Sequence, residues 1–212
     1  HNTLSHFCQT AKDVVALAAS SGGLRAISEI LSALPSDFPA AITVVQHLSP
    51  QYPNHMPDIL SRRTTRAVLQ AEAGDQLRPG TVYIAPPNKH LLVNWDGTLS
   101  LSAEEKVNYV RPSADVLFES VATSFKELAL AVVLTGRGCD GARGVQAIRQ
   151  MGGMVLAQSE ATCECFSMPG FAIDTGSVDL ILPLNQIAFA LETLVMTAQA
   201  DGSYDNKTPL VA

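Results

Sequence analysis

The sequence lacks any long apolar run. Its longest, such as Leu128 to Leu134, fall far short of the roughly eighteen residues that a membrane-spanning helix needs, so no membrane insertion is expected. Positive charge is also short, with 14 Lys and Arg against 20 Asp and Glu and a formal charge of −6. A nucleic-acid binder usually presents a basic face, and this balance argues against one. Cysteine is sparse: Cys8, Cys139, Cys163 and Cys165 would allow three pairings. A chain of 212 residues needs no covalent staples, and a reduced, cytoplasmic setting is expected. Neither H-x-x-x-H nor C-x-x-C spacing occurs. His55 and His90 have no evident metal partners, and Cys163-Glu164-Cys165 is too tight for a usual zinc pair. No metal is expected. The opening His1-Asn2-Thr3 does not read as a signal peptide, and no repeat or low-complexity tract divides the chain.

What is present is an ample supply of core. Hydrophobic residues make up 47% of the chain, arranged as short apolar runs alternating with segments of helical period. Strands are expected at Val14–Ala19, Ala41–Gln46, Thr81–Ala85, Leu128–Leu134, Met154–Ala157 and Val178–Leu182, with a β-hairpin over Leu91–Leu101 turning at Asp96-Gly97. Helices are expected after Ser20-Ser21-Gly22-Gly23, over Asn54–Arg63, from Ser113 (as N-cap) to Lys126, over Ala142–Met151 and over Asn185–Met196. Such alternation predicts an α/β fold: a single domain with a doubly wound, mostly parallel sheet, helices on both faces and the hairpin as an addition. The domain should span 12–197, with flexible termini at 1–11 and 198–212.

Three loops, each directly after an expected strand, carry residues capable of chemistry. Ligands in open α/β sheets bind at the carboxyl ends of strands. In Ala19-Ser20-Ser21-Gly22-Gly23, a serine at a strand-to-helix turn has its hydroxyl beside free N–H groups at a helix start. The same serine could be only a helix cap. In Gln46-His47-Leu48, the histidine ending a strand could be a general base or a structural residue. In Thr135-Gly136-Arg137-Gly138-Cys139-Asp140-Gly141, the aspartate could orient His47 by accepting its Nδ1–H, or cap the next helix, or do both. Gly136, Gly138 and Gly141 also spell the G-x-G-x-x-G turn of dinucleotide-binding domains, with Glu160 near the place of a ribose-binding acid. Against that reading, Asp140 would set a carboxylate before a pyrophosphate, and Ser20 and His47 would have no role.

At these residues the chain resembles the CheB-type receptor methylesterases. The resemblance runs from about Val14 to Leu194 and rests on ordered motifs: Ala18-Ala19-Ser20-Ser21-Gly22-Gly23, Val44-Val45-Gln46-His47, Tyr83-Ile84-Ala85-Pro86, the helix start Arg111 to Phe118, Leu134 to Gly141, and Met168-Pro169. It implies Ser20, His47 and Asp140 as nucleophile, base and orienting acid, with Ser21, Gly22, Arg137 and Gly138 around the oxyanion and cleft. It further implies hydrolysis of γ-glutamyl methyl esters on the cytoplasmic helices of methyl-accepting chemotaxis receptors, deamidation of receptor glutamines in some members, and no cofactor. A non-catalytic receptor-binding homologue would keep the fold without the reaction. Members usually carry an N-terminal phosphorylatable receiver domain, which this sequence does not show. Arg137 stands where well-known members have methionine, and Cys139 replaces a common asparagine.

Overall fold

The computed structural model describes residues 13–49, 51 and 53–202. Seven strands form one wholly parallel sheet: β1 (Val14–Ala19), β2 (Ala41–Gln46), β3 (Val68–Gln70), β4 (Val82–Ile84), β7 (Ala129–Val133), β8 (Met154–Gln158) and β9 (Leu180–Leu182). The hairpin β5 (His90–Val93) and β6 (Leu99–Ser102) stands apart as a two-stranded antiparallel sheet. Six α-helices occur among the described residues: α1 (Gly23–Ala33), α2 (Met56–Ser61), α3 (Ala114–Phe125), α4 (Ala142–Gln150), α5 (Ser167–Asp174) and α6 (Leu184–Gly202). The expected doubly wound α/β architecture is the observed one.

The sheet order β3-β4-β2-β1-β7-β8-β9 places β1 at the centre. It is flanked by β2, with Leu17 opposite Val44, and by β7, with Leu17 opposite Val132. The chain winds outward from β1 first on the β2 side and then on the β7 side, so the switch point lies at the carboxyl end of β1. Every residue of β1 is buried, as befits a strand covered on both faces. Successive side chains point to opposite faces. Val14, Ala16 and Ala18 join a core with Leu117, Phe118 and Val121 of α3, Val145 and Ile148 of α4 and Met168 of α5. Val15, Leu17 and Ala19 join the other core, with Ile27 and Leu31 of α1, Leu60 of α2 and Ile187 and Leu191 of α6.

Three differences from the sequence expectations have physical causes. Strand β3 is only three residues long and only its first side chain is buried, so it carries no alternation to detect. Helix α5 holds Pro169 and Gly170, which read as breakers. Pro169 falls in the first turn, where its missing N–H would have had no helical partner. Helix α6 continues beyond Met196 to Gly202, the last of the described residues, because Ala and Gln in 197–200 favour helix. The rest of the termini expected to be flexible, 1–11 and 203–212, lies outside the described residues.

Helices α3 and α4 approach unusually closely, and Gly144 makes this possible. A Cβ there would sit 2.6 Å from Phe118 Cβ and 3.1 Å from Asp115 Cα. Gly144→Ala is expected to destabilise the domain by about 1–3 kcal/mol through overpacking. Urea unfolding checks this: the midpoint should fall with the slope unchanged.

Candidate active site

Ser20 leaves β1 at the switch point, held on both sides by the neighbouring loops. Its N–H donates to Thr135 O (3.0 Å), while its carbonyl accepts from Gly23 N (2.9 Å) and Gln46 Nε2 (2.7 Å). On the β2 side, His47 N donates to Ala19 O (3.0 Å), so Ser20 and His47 emerge from adjacent strand ends. Gly22 adopts φ 80°, the left-handed region that glycine enters at little cost, and lets the chain turn into α1. Among the described residues, the N–H groups of Ser21 and Gly22 donate to no protein acceptor. They are orphan donors at a helix start, suited to a developing oxyanion.

His47 is half-buried, and its Nε2 lies 2.7 Å from Asp140 Oδ2, with side-chain exposures of 11% and 3%. The expected partner nitrogen was Nδ1, and the structure corrects it. Asp140 follows β7, two strands from β2, a gap of about 9–10 Å at ordinary strand spacing. The nitrogen farther from the backbone is the one that reaches. With Asp140 ionised, the neutral imidazole carries its proton on Nε2, and Nδ1 is left to accept one. No hydrogen bond joins Ser20 Oγ to His47 among the described residues, a contact that commonly tightens only when substrate arrives.

The setting of Asp140 differs from the expectation that it caps the following helix. The N-cap of α4 is Gly141, at φ 102°, and the Asp140 carboxylate turns instead to the start of α3. There it accepts from Ala114 N (2.6 Å), Asp115 N (3.2 Å) and Ser113 Oγ (2.8 Å). Ser113, expected to cap α3 with its own side chain, donates to Asp140, and the aspartate does the capping. Asp115 returns the service, its Oδ1 accepting from Gly141 N (3.1 Å) and Gly144 N (2.7 Å) at the start of α4. Asn108 Nδ2 bridges the two carboxylates, at 2.7 Å from Asp115 Oδ2 and 3.2 Å from Asp140 Oδ1.

Sequence reasoning missed Asn108 and Asp115 as parts of this site. Asp115 lies within the Arg111–Phe118 motif, which reads as an ordinary helix start, and Asn108 stands in the polar stretch before it with no signal of its own. Burial pushes both carboxyls up, but they end on opposite sides of the usual value. The His47 bond, the Ala114 N–H, the imidazole's charge and the Ser113 hydroxyl outweigh burial at Asp140 and hold it low. At Asp115 burial dominates, reinforced by Asp140 and only partly offset by the Gly144 N–H, and the carboxyl is held high.

The loop after β7 is fastened to the chain before and within α5. Gly136 N donates to Cys165 O (2.9 Å), and Gly136 O accepts from Met168 N (3.0 Å). A Cβ on Gly136 would lie 2.8 Å from Ser20 Cβ, so this glycine allows the two loops to touch. Its N–H is thus committed and the following carboxylate faces α3, which removes the cradle a dinucleotide would need. The turn serves to seat Ser20 and Asp140. Arg137, Gly138 and Cys139 are exposed. Arg137 forms no ion pair among the described residues, and the N–H groups of Arg137 and Gly138 are free of protein acceptors there.

The other sequence candidates lie apart from this arrangement. His90 is buried, with Nε2 2.8 Å from Glu105 O and Nδ1 accepting from Ser113 N (3.2 Å), so both nitrogens serve backbone. His55 is exposed at the start of α2. Cys139, Cys163 and Cys165 are free thiols, and burial, with Cys165 and Glu160 nearby, pushes the Cys163 thiol up to about 11. Cys8 lies outside the described residues. No group of three or more His, Cys, Asp or Glu among the described residues is placed to hold a metal.

The opposite shifts give opposite pH signatures. Asp140, held low, contributes stability that is complete above the ordinary value of 3.8 and is lost as pH falls below it. Asp115, held high, contributes stability that is complete below 3.8 and is lost as pH rises above it. Asp140→Asn is therefore expected to flatten the decline of the urea midpoint below pH 3.8. Asp115→Asn should instead remove a loss that sets in above that value. Identical pH profiles for wild type and both variants would contradict this assignment.

Comparison with known proteins converges on one family. The chain matches the family model for the CheB methylesterase domain over residues 15–191. It is 43% identical over 178 residues to the protein-glutamate methylesterase FrzG of Myxococcus xanthus, covering 84% of this chain and 53% of that protein. It is 37% identical over 182 residues to a protein-glutamate methylesterase/protein-glutamine glutaminase of Symbiobacterium thermophilum, covering 86% and 50%. The chain thus spans about half the length of these curated relatives. Among solved structures, the CheB methylesterase catalytic domain of Thermotoga maritima superposes with a TM-score of 0.83 at 36% identity, covering 86% of this chain and 98% of that one.

Proposed function

The chain belongs to the CheB methylesterase family, and on that premise we propose that it is a serine hydrolase cleaving γ-glutamyl methyl esters on the cytoplasmic helices of chemotaxis receptors. The observation that supports this most directly is the 2.7 Å His47–Asp140 pair at the switch point, one strand end away from Ser20. A dyad of this kind is the base half of a nucleophile-activating triad, which is recognised by geometry and not by order along the chain.

In this reading Ser20 Oγ attacks the ester carbonyl while its proton passes to His47 Nδ1. The imidazolium that forms is stabilised through Nε2 by Asp140. Charge on the carbonyl oxygen is met by the free N–H groups of Ser21 and Gly22 and by those of the Arg137–Gly138 loop. Collapse of the tetrahedral intermediate breaks the bond to methoxide, which takes the proton from His47 and leaves as methanol. Water then attacks the acyl-enzyme, giving its proton to His47, and the released Ser20 Oγ recovers a proton from the same ring. The same route acts on a glutamine side chain if ammonia is the leaving group, the second activity in the Symbiobacterium relative's name. A receptor's cytoplasmic helices place the enzyme in the cytoplasm. Cys139, Cys163 and Cys165, free thiols among the described residues, fit that reducing compartment.

Ser20→Ala is expected to abolish methanol release from a methylated receptor fragment while leaving the melting temperature nearly unchanged. Asp140→Asn should lower kcat by about 10⁴, the loss that a wrong tautomer causes in such a site. Full activity of Ser20→Ala would mean that another nucleophile acts. A non-catalytic receptor-binding homologue would instead give no burst with an activated ester in the wild type.

A further inference from the structure

The nucleophile opens onto one side of the molecule only in part through its own loops. A depression of about 490 Å³ has Ser20 at one end and Leu24, Leu48, Met56 and Ile59 along its walls. Leu24, Leu48 and Ile59 are each 38–42% exposed, an unusual concentration of aliphatic surface for one spot. A second depression of about 600 Å³ continues outward between α1 and α2 and shares Leu24, Arg25 and Ile59 with the first. Its far end carries Arg62 and Arg63, which follow the last turn of α2.

The charge in this groove is opposite to that of the whole chain. Arg25, Arg62 and Arg63 are exposed, and none forms an ion pair among the described residues. Glu29 is the single carboxylate among the described lining residues. Three of the chain's 14 basic side chains thus gather along one apolar groove in a protein of net charge −6. Unpaired guanidinium groups keep their charge at any working pH and bind carboxylates through paired N–H donors.

We infer that this groove is a docking site for an acidic amphipathic segment of the protein substrate, with Arg62 and Arg63 as specificity determinants distant from the reacting atoms. The segment lays its apolar side chains on Leu24, Leu48 and Ile59 and sets carboxylates of the following turns against Arg25, Arg62 and Arg63. That places the esterified glutamate at the Ser20 end. Apolar contact supplies the burial, and the arginines set direction and exclude basic sequences. Continuity of the groove with Ser20 ties the occupant to the substrate, and the inference rests on the esterase reading to that extent.

The test uses a fluorescent synthetic helical peptide carrying one glutamate γ-methyl ester, flanked on one face by leucines and glutamates, and a counterpart with lysines for those glutamates. Binding is read by anisotropy on the Ser20→Ala protein, with and without Arg62→Glu/Arg63→Glu. Turnover is read as methanol release by the otherwise unaltered protein, with and without the same charge reversal. Reversal should weaken binding of the acidic peptide and raise its KM by about tenfold, the sum of a few exposed pairs of ordinary strength. Its kcat and the hydrolysis of p-nitrophenyl acetate, too small to reach the arginines, should stay within about twofold. The lysine peptide should bind the reversed protein better than the original. Equal binding of the acidic peptide with and without reversal, or no binding to either, overturns the groove assignment. Charge-dependent binding without methanol release keeps the groove and overturns the esterase reading.

Discussion

A carboxylate buried at the end of a sheet must find donors for nearly all of its lone pairs, and Asp140 imposes that demand on the parts around it. Only 3% of its side chain is exposed, and five donors converge on it: His47, Asn108, Ser113 and the N–H groups of Ala114 and Asp115. Two of these are orphan donors at the start of α3, where the helix dipole favours negative charge. The aspartate therefore caps a helix that is remote in sequence and orients an imidazole two strands away. Removing the charge would leave the helix start, the hydroxyl and the ring without their common acceptor.

The same demand explains how closely α3 and α4 approach. Asp115 of α3 caps α4, while Asp140, in the loop leading into α4, caps α3, so the start of each helix depends on an acid from the other side. This exchange requires the helix starts to meet, and Gly144 and Gly141 admit the contact where a side chain or an ordinary φ would not. Two carboxylates so near each other repel, and Asn108 lies between them as a shared donor. It adopts φ 50° to do so, a left-handed conformation that asparagine tolerates better than most residues. Burial chiefly, and this repulsion in addition, hold the Asp115 carboxyl high.

Most of the frame was legible because a parallel sheet buried on both faces writes itself as short, continuous aliphatic runs. Val14–Ala19 and Ala41–Gln46 have the same bounds in the sequence reading and in the structure. Strand β3 and helix α5 were hidden, the first by its brevity and the second by a proline and a glycine in its first half. Ser20, His47 and Asp140 could be named as candidates because each ends or follows a strand at the switch point. The nitrogen that His47 offers and the helix that Asp140 caps could not. Both depend on the lateral order of strands, which brings β2 and β7 to either side of β1, and no local pattern encodes that order. Asn108 and Asp115 were missed for a related reason, since their partners at the site lie 25 or more residues away for every hydrogen bond but the one between themselves.

Strand β1 also divides the labour of the site. On one of its faces lie α3, α4 and α5, which fix Asp140 and the loop beneath Ser20. On the other lie α1, α2 and α6, whose exposed edge carries the groove with its leucines and arginines. Ser20 sits at the end of the strand between them and is the point that both sides share. The acid side is dry and closely satisfied, so almost any substitution there leaves a buried group unpaired. The groove side is open, and its residues are held by few bonds that a substitution would break. Changes in it should therefore have effects nearly independent of those at the His47–Asp140 pair, as sites without shared partners generally do. A fold arranged in this way can change the groove beside Ser20 while the bonding of His47 and Asp140 stays the same.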